Sequence, residues 1–262
     1  MNTQPQPSPR EPQQVLLRVP VTRPLLAYVL LAAITLVFLA QLYFYQTAGV
    51  RGEPITPWGM VSYQRILNNG EFYRLFTAMF IHLSETHFFS NALVLYFVGR
   101  TVEAYFGRLR FASIYLLGGL SGSLASFMFT RGNSAGASGA LFALIGAELV
   151  FLYQNRQLLG AQGQQWFQQA LLMAGLNLFI GLATEAVPGA IRIDNWGHLG
   201  GFFAGIVLAW FIGPQYAVQW ERSTPDQMRV VDKISVMTML RVPAIYFAGM
   251  VATLIYSMLN LR

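Results

Sequence analysis

The chain has no cysteine among its 262 residues, which excludes disulfides, thiolate nucleophiles and cysteine-based metal sites. It is also short of charge, with 11% Asp, Glu, Lys and Arg where a soluble domain carries about 25%. Basic residues outnumber acidic ones, 17 to 11, but they are scattered singly and form no tract or basic helix face. Phosphate recognition needs clustered Lys and Arg, so nucleic acid is not an expected partner. Histidine is scarce too: His82, His87 and His198 are the whole supply.

What is abundant is apolar sequence, 55% of the chain. It falls in long runs separated by the few charges, the pattern of a polytopic membrane protein. Seven spans are expected, near residues 25–45, 88–106, 111–130, 138–153, 167–187, 196–212 and 242–259. The first is too long for the about 7–15-residue core of a signal peptide. Residues 1–24, rich in Pro and Gln, read as a disordered tail, and 214–241 as a polar linker before the seventh span. The fourth and sixth runs fall below the roughly 20 residues of a full span. Such helices either start within the bilayer beneath a water-filled cavity or sit in a thinned membrane.

Loop charges orient the chain. With the N-terminus cytoplasmic, Arg10, Arg18, Arg23, Arg108, Arg110, Arg156, Arg222, Arg229, Lys233 and Arg241 lie inside, and Arg51, Arg65, Arg74, Arg131, Arg192 and Arg262 outside, ten against six, as the positive-inside rule prefers. The loop from Gln46 to His87 is then external. Helices two, four and six all begin at the outer face, which brings the three histidines to the level of Ser138. Ionisable groups at such depth mark functional sites by default.

Gly136-Ala137-Ser138-Gly139 opens the fourth run. Its glycines permit a tight turn and close approach of a substrate backbone, and a helix N-terminus offers free N–H groups to developing negative charge. A serine attacks a carbonyl only when a base takes its proton, and His198 is the natural base. Gly119-Leu120-Ser121-Gly122 is a second copy of the motif, but Ser121 falls mid-helix among small residues and no histidine reaches it, so it reads as a packing residue. His87 and Asn91 share one helix face and can donate to an oxyanion with the Ser138 N–H; the alternative for Asn91 is a bridge between helices. His82 precedes that helix and is expected to brace the loop. Asp194 either orients His198 or, as the favoured reading, caps the sixth helix, leaving a Ser–His dyad. A metalloprotease is disfavoured because His82 and His87 are five apart with Glu85 out of position, whereas the metalloprotease motif H-E-x-x-H spaces its histidines four apart.

Taken together, His82-x4-His87-x3-Asn91, Gly99-x3-Glu103-x3-Gly107, Gly136-x-Ser138-Gly139 and His198-x2-Gly201-x3-Gly205 resemble the rhomboid family of intramembrane serine proteases over about residues 71–212. The resemblance implies an all-α polytopic bundle with a six-helix catalytic core over residues 25–213, and a C-terminal seventh span over 242–262. It also implies cleavage of transmembrane protein substrates near the outer face without metal or cofactor, with membrane lipid as the surrounding partner. Ser138 then corresponds to the nucleophile, His198 to the base, and His87 and Asn91 to oxyanion donors beside Gly136. Phe142 matches the aromatic position that stacks on the catalytic histidine; Gly139, Gly201 and Gly205 allow helices four and six to approach. Glu103 would bond inner helix ends or loops. Arg74 matches a Trp-Arg signature in the first loop, with Tyr73 in place of the tryptophan, and the fifth helix, with Trp166, Phe167 and Phe179, resembles the movable wall through which substrate enters. The bacterial plasma membrane is the expected location. The competing reading is a rhomboid-like, non-catalytic membrane chaperone that binds clients.

Overall fold

The computed structural model describes residues 19–185, 193–220 and 228–261. Most of the expected tail (1–18), the last residues of the fifth expected span, and Arg10, Arg18, Arg192, Arg222 and Arg262 lie outside the described residues. The chain is an all-α polytopic membrane helix bundle. Among the described residues five helices are long and apolar enough to cross a membrane: Leu26–Gly52, Arg108–Thr130, Arg156–Ala183, Asn195–Ile212 and Val236–Asn260.

Along the chain, α1 (Leu26–Gly52) leads into the first loop. There α2 (Ile55–Gly59), β1 (Val61–Ser62), α3 (Tyr63–Asn69) and α4 (Arg74–Thr77) form an ordered cap. α5 (Glu85–Val94) continues through a π-helical turn, Leu95–Gly99, into α6 (Arg100–Phe106). α7 (Arg108–Ala125) ends in a second π-turn at Ser126–Thr130. After β2 (Asn133–Ser134) come α8 (Ser138–Gln154), α9 (Arg156–Glu185) and α10 (Asn195–Ile212). β3 (Tyr216–Trp220) and β4 (Met228–Asp232) precede α11 (Val236–Asn260).

The core is built around α8. From Ala140 to Ala147 every side chain is buried, so this 17-residue helix, about 25 Å long at 1.5 Å per residue, is surrounded by protein rather than lipid. α10 lies directly on it, because glycine removes the side chains between them. A Cβ at Gly201 would land on the Gly139 carbonyl, and one at Gly205 on the Ala143 carbonyl. Backbones this close also gain dispersion energy that lipid cannot supply.

Each end of the bundle is tied separately. At one end β1 pairs antiparallel with β2, and the first loop is gathered on Arg74, which is fully buried. Its guanidinium donates to the carbonyls of Pro57 (2.8 Å) and Met60 (3.0 Å) and to Glu71. Tyr73, where the tryptophan of the signature is missing, stacks on Trp58 with centroids 5.0 Å apart. At the other end Glu103, fully buried, accepts the backbone N–H groups of Leu25, Leu26 and Ala27 at 2.7–2.9 Å. It thereby satisfies the orphan donors that open α1 and places a carboxyl at the positive end of its dipole.

Three expectations need correction. The stretch 19–24 is not part of a free tail: the Thr22 N–H donates to the Ala104 carbonyl at 2.8 Å. The expected linker 214–241 contains the β3–β4 hairpin, paired from Tyr216 opposite Asp232 to Trp220 opposite Met228. It is held to the bundle by Asn155, which donates to the Pro214 carbonyl and accepts from the Tyr216 N–H, and by the Arg110–Asp232 ion pair. The fifth helix begins just after Gly160 rather than near 167, and the non-helical Gly160 (φ 55°, ψ −143°) separates it from a short helical turn that opens α9 at Arg156.

Candidate active site

Ser138 is the first residue of α8, so its own N–H and those of Gly139 and Ala140 have no acceptor within the helix. The turn before it depends on Gly136, whose φ of +131° is open to glycine but strained for other residues, and whose N–H donates to the Ala78 carbonyl at 2.9 Å. The Ser138 hydroxyl therefore stands at the positive end of a rigid helix, directed by a clamped turn.

His198 lies one turn into α10. Its Nε2 is 2.9 Å from Ser138 Oγ, within proton-transfer reach. Phe142, one turn below Ser138, stacks on the imidazole with centroids 4.3 Å apart and planes at 15°. The other ring nitrogen, Nδ1, is buried and meets no hydrogen-bonding group among the described residues. Ring orientation therefore comes from the Phe142 face and the serine contact.

Asp194 is engaged elsewhere. It caps α10 by accepting the Gly197 N–H at 3.0 Å, and it also accepts the Thr130 hydroxyl at 2.7 Å and the Ser134 hydroxyl at 2.5 Å. It thus fastens the helix that carries His198 to the strand leading into Gly136.

His87 approaches from α5. A Cβ added at Gly136 would lie 2.6 Å from His87 Nε2 and 3.6 Å from Ser138 Oγ, so imidazole and hydroxyl face each other across the bare Gly136 Cα. Asn91 is buried on the same helix face, with its amide nitrogen donating to the His87 carbonyl at 2.8 Å and not toward Ser138. His82 is buried among Phe38, Phe88 and His87. Its backbone forms a two-way bridge with the Gln41 amide of α1, which fixes the loop before α5. Ser121 has no path to this site: its hydroxyl is 2.9 Å from the Tyr246 hydroxyl on α11.

A pocket of about 20 Å³ beside Ser138 and His198, lined also by Gly136, Gly139, Ser134 and Asp194, has room for one water. The arrangement comprises a serine hydroxyl with an imidazole in contact, backbone N–H groups free at the helix start, and space for one water. Sequence reasoning had no signal for the Asp194 bonds to Thr130 and Ser134, whose partners lie 64 and 60 residues away.

The rhomboid domain family model matches residues 69–215. RHOMBOID-like protein 1 of Arabidopsis thaliana is 36% identical over 170 residues, covering 64% of this chain and 42% of that protein. Rhomboid protease GluP of Bacillus subtilis (strain 168) is 38% identical over 149 residues, 56% of this chain and 27% of its own length. RHOMBOID-like protein 2 of Arabidopsis thaliana is 32% identical over 190 residues, 71% and 57%. The matched region thus spans from about a quarter to somewhat over half of these relatives.

Proposed function

This chain belongs to the rhomboid family, and we propose that it works as an intramembrane serine endopeptidase whose catalytic groups are the Ser138–His198 dyad. The 2.9 Å contact between Ser138 Oγ and His198 Nε2 at the mouth of the buried helix α8 carries the reading. His198 takes the hydroxyl proton as Ser138 attacks the scissile carbonyl. The oxyanion is met by the Ser138 N–H and by His87, with Asn91 joining once its amide leaves the His87 carbonyl. His198 then gives the proton to the departing amine, leaving an acyl-serine. A water in the adjacent pocket, deprotonated by His198, releases the second product.

The substrate is a transmembrane helix that unwinds locally, because a helical amide cannot reach a serine enclosed this closely. The proposed core runs from residue 25 to 213, with α11 as an added seventh span. The cluster of Arg23, Arg108, Arg110, Arg156, Arg229, Lys233 and Arg241 opposite the Ser138 end supports a cytoplasmic N-terminus and cleavage near the outer face. The plasma membrane of a bacterium is the proposed location. A chaperone that only binds clients would not need a hydroxyl and a base in contact.

The test is cleavage of a single-span substrate in liposomes by wild type, Ser138→Ala, His198→Ala and Ser121→Ala. Activity is expected to vanish in the first two variants and persist in Ser121→Ala. Undiminished cleavage by Ser138→Ala refutes the proposal. Labelling by a fluorophosphonate should likewise depend on Ser138 and not on Ser121.

A further inference from the structure

α8 carries a single charged residue, Glu148. It lies ten positions beyond Ser138 and six before the helix end, about 9 Å from that end by helical rise. Among the described residues it forms no hydrogen bond or ion pair. An ionisable group at such a position is costly unless something meets it.

Glu148 opens instead into a cavity of about 800 Å³ at the end of the bundle away from Ser138, within the size range of small-molecule sites, roughly 300–1,000 Å³. Val98 and Ala104 form one wall, Trp166, Ala170 and Met173 of α9 the other, and Arg23 and Arg100 stand at the lining with Glu148. Neither arginine is ion-paired among the described residues. Glu148, the Arg23 guanidinium and the Arg100 guanidinium, which lies over the Tyr96 ring 4.9 Å from its centroid, thus share a cavity between apolar helices without a carboxylate–guanidinium pair among them.

We propose that this cavity binds a zwitterionic aminophospholipid from the inner leaflet, its primary ammonium on Glu148 and its phosphate on Arg23 and Arg100, with the acyl chains passing between α6 and α9. Both signs of charge are needed to explain the lining. A purely anionic lipid would set its phosphate against Glu148, and a basic side chain of a substrate would meet the two arginines. A primary ammonium offers three N–H donors to a carboxylate, which a trimethylammonium headgroup lacks, and guanidinium is the preferred partner of phosphate.

The experiment is native mass spectrometry of the full chain released from vesicles of equal parts phosphatidylethanolamine, phosphatidylglycerol and phosphatidylcholine. Wild type should retain phosphatidylethanolamine several-fold over the other two. Glu148→Gln should erase that preference, and Arg100→Gln should reduce retention of any phospholipid. Ala170→Trp, which fills the cavity with Glu148 intact, should also lose the lipid and guards against misfolding of the charge variant. Equal retention of the three lipids by wild type, preference for phosphatidylglycerol, or an unchanged preference in Glu148→Gln overturns the proposal. The readout is independent of peptide cleavage, so it stands or falls separately from the protease reading.

Discussion

Replacing Glu103 by Gln tests how the bundle is closed at the end remote from Ser138. The carboxyl accepts Leu25 and Leu26 N–H on one oxygen, both at 2.9 Å, and Ala27 N–H on the other at 2.7 Å. Bonds to a charged acceptor contribute roughly 1.5–3 kcal/mol each and neutral ones about 1 kcal/mol. Glutamine can keep the first pair as neutral bonds but must turn its NH₂ toward the Ala27 N–H, which is buried. The loss is therefore about 2 kcal/mol at Ala27 and about 1 kcal/mol at each of the other two. Leu25 is 49% exposed, so water recovers part of its share, leaving about 3 kcal/mol, or roughly 150-fold in the unfolding equilibrium. Unfolding of the detergent-solubilised protein with increasing dodecyl sulfate, followed by circular dichroism, measures it. A change below about 0.5 kcal/mol, the level of an ordinary surface substitution, would refute the clasp as a source of stability.

The remaining predictions concern the other end. Asp194→Ala should lower the turnover of substrate cleavage about 10- to 100-fold, in the range of lost positioning, with KM little changed and Asn restoring part of it; equal turnover in Ala and Asn variants would count against positioning through the hydrogen bonds. Gly201→Ala should destabilise the fold by about 1–3 kcal/mol, the usual cost of overpacking, and depress cleavage by prising His198 from Ser138; an unchanged unfolding midpoint would contradict the close approach. Glu71 is pulled from 4.5 down to about 2, chiefly by hydrogen bonds from Asn69 and then Arg74. Because the folded value is the lower one, its contribution to loop stability is complete above about 4.5 and is lost as pH falls toward 2. Trp58, stacked on Tyr73, should report this as a fluorescence change on acidification that is absent in Glu71→Gln; identical profiles would dismiss the linkage.

Much of this architecture was legible because membrane spans impose direction. Knowing only that helices two, four and six start on one side was enough to put His87, Ser138 and His198 at one level and to set Ser121 apart. Glycine spacing likewise announced the contact of α8 with α10. The clasp of Glu103 was not legible, since its partners are backbone N–H groups 76–78 residues away and backbone carries no sequence signal. Asp194 was readable as a cap from Asp194-Asn195-Trp196, yet its hold on Thr130 and Ser134 depends on tertiary placement. The β3–β4 hairpin was missed although Tyr216-Ala217-Val218-Gln219-Trp220 has strand character, because a polar stretch between apolar spans reads first as linker. The amide of Asn91 turns inward along its own helix, a choice of rotamer that no spacing rule supplies.

The π-turn at Leu95–Gly99 sets the rotational phase of the second span. Asn91 and Glu103 are twelve positions apart, which in a regular helix of about 100° per residue would leave them about 120° out of phase. A π-turn absorbs one additional residue, so the pair behaves as if eleven apart and falls within about 20° of alignment. Both side chains are buried, one on the helix that carries His87 toward Ser138 and the other at the remote seal. A deletion of one residue within 95–99 would restore ideal winding and keep the pair aligned, whereas regular winding with every residue retained would rotate one of them by about 120° out toward lipid. The irregular turn acts as a coupling that keeps the two ends of one rod facing the same interior.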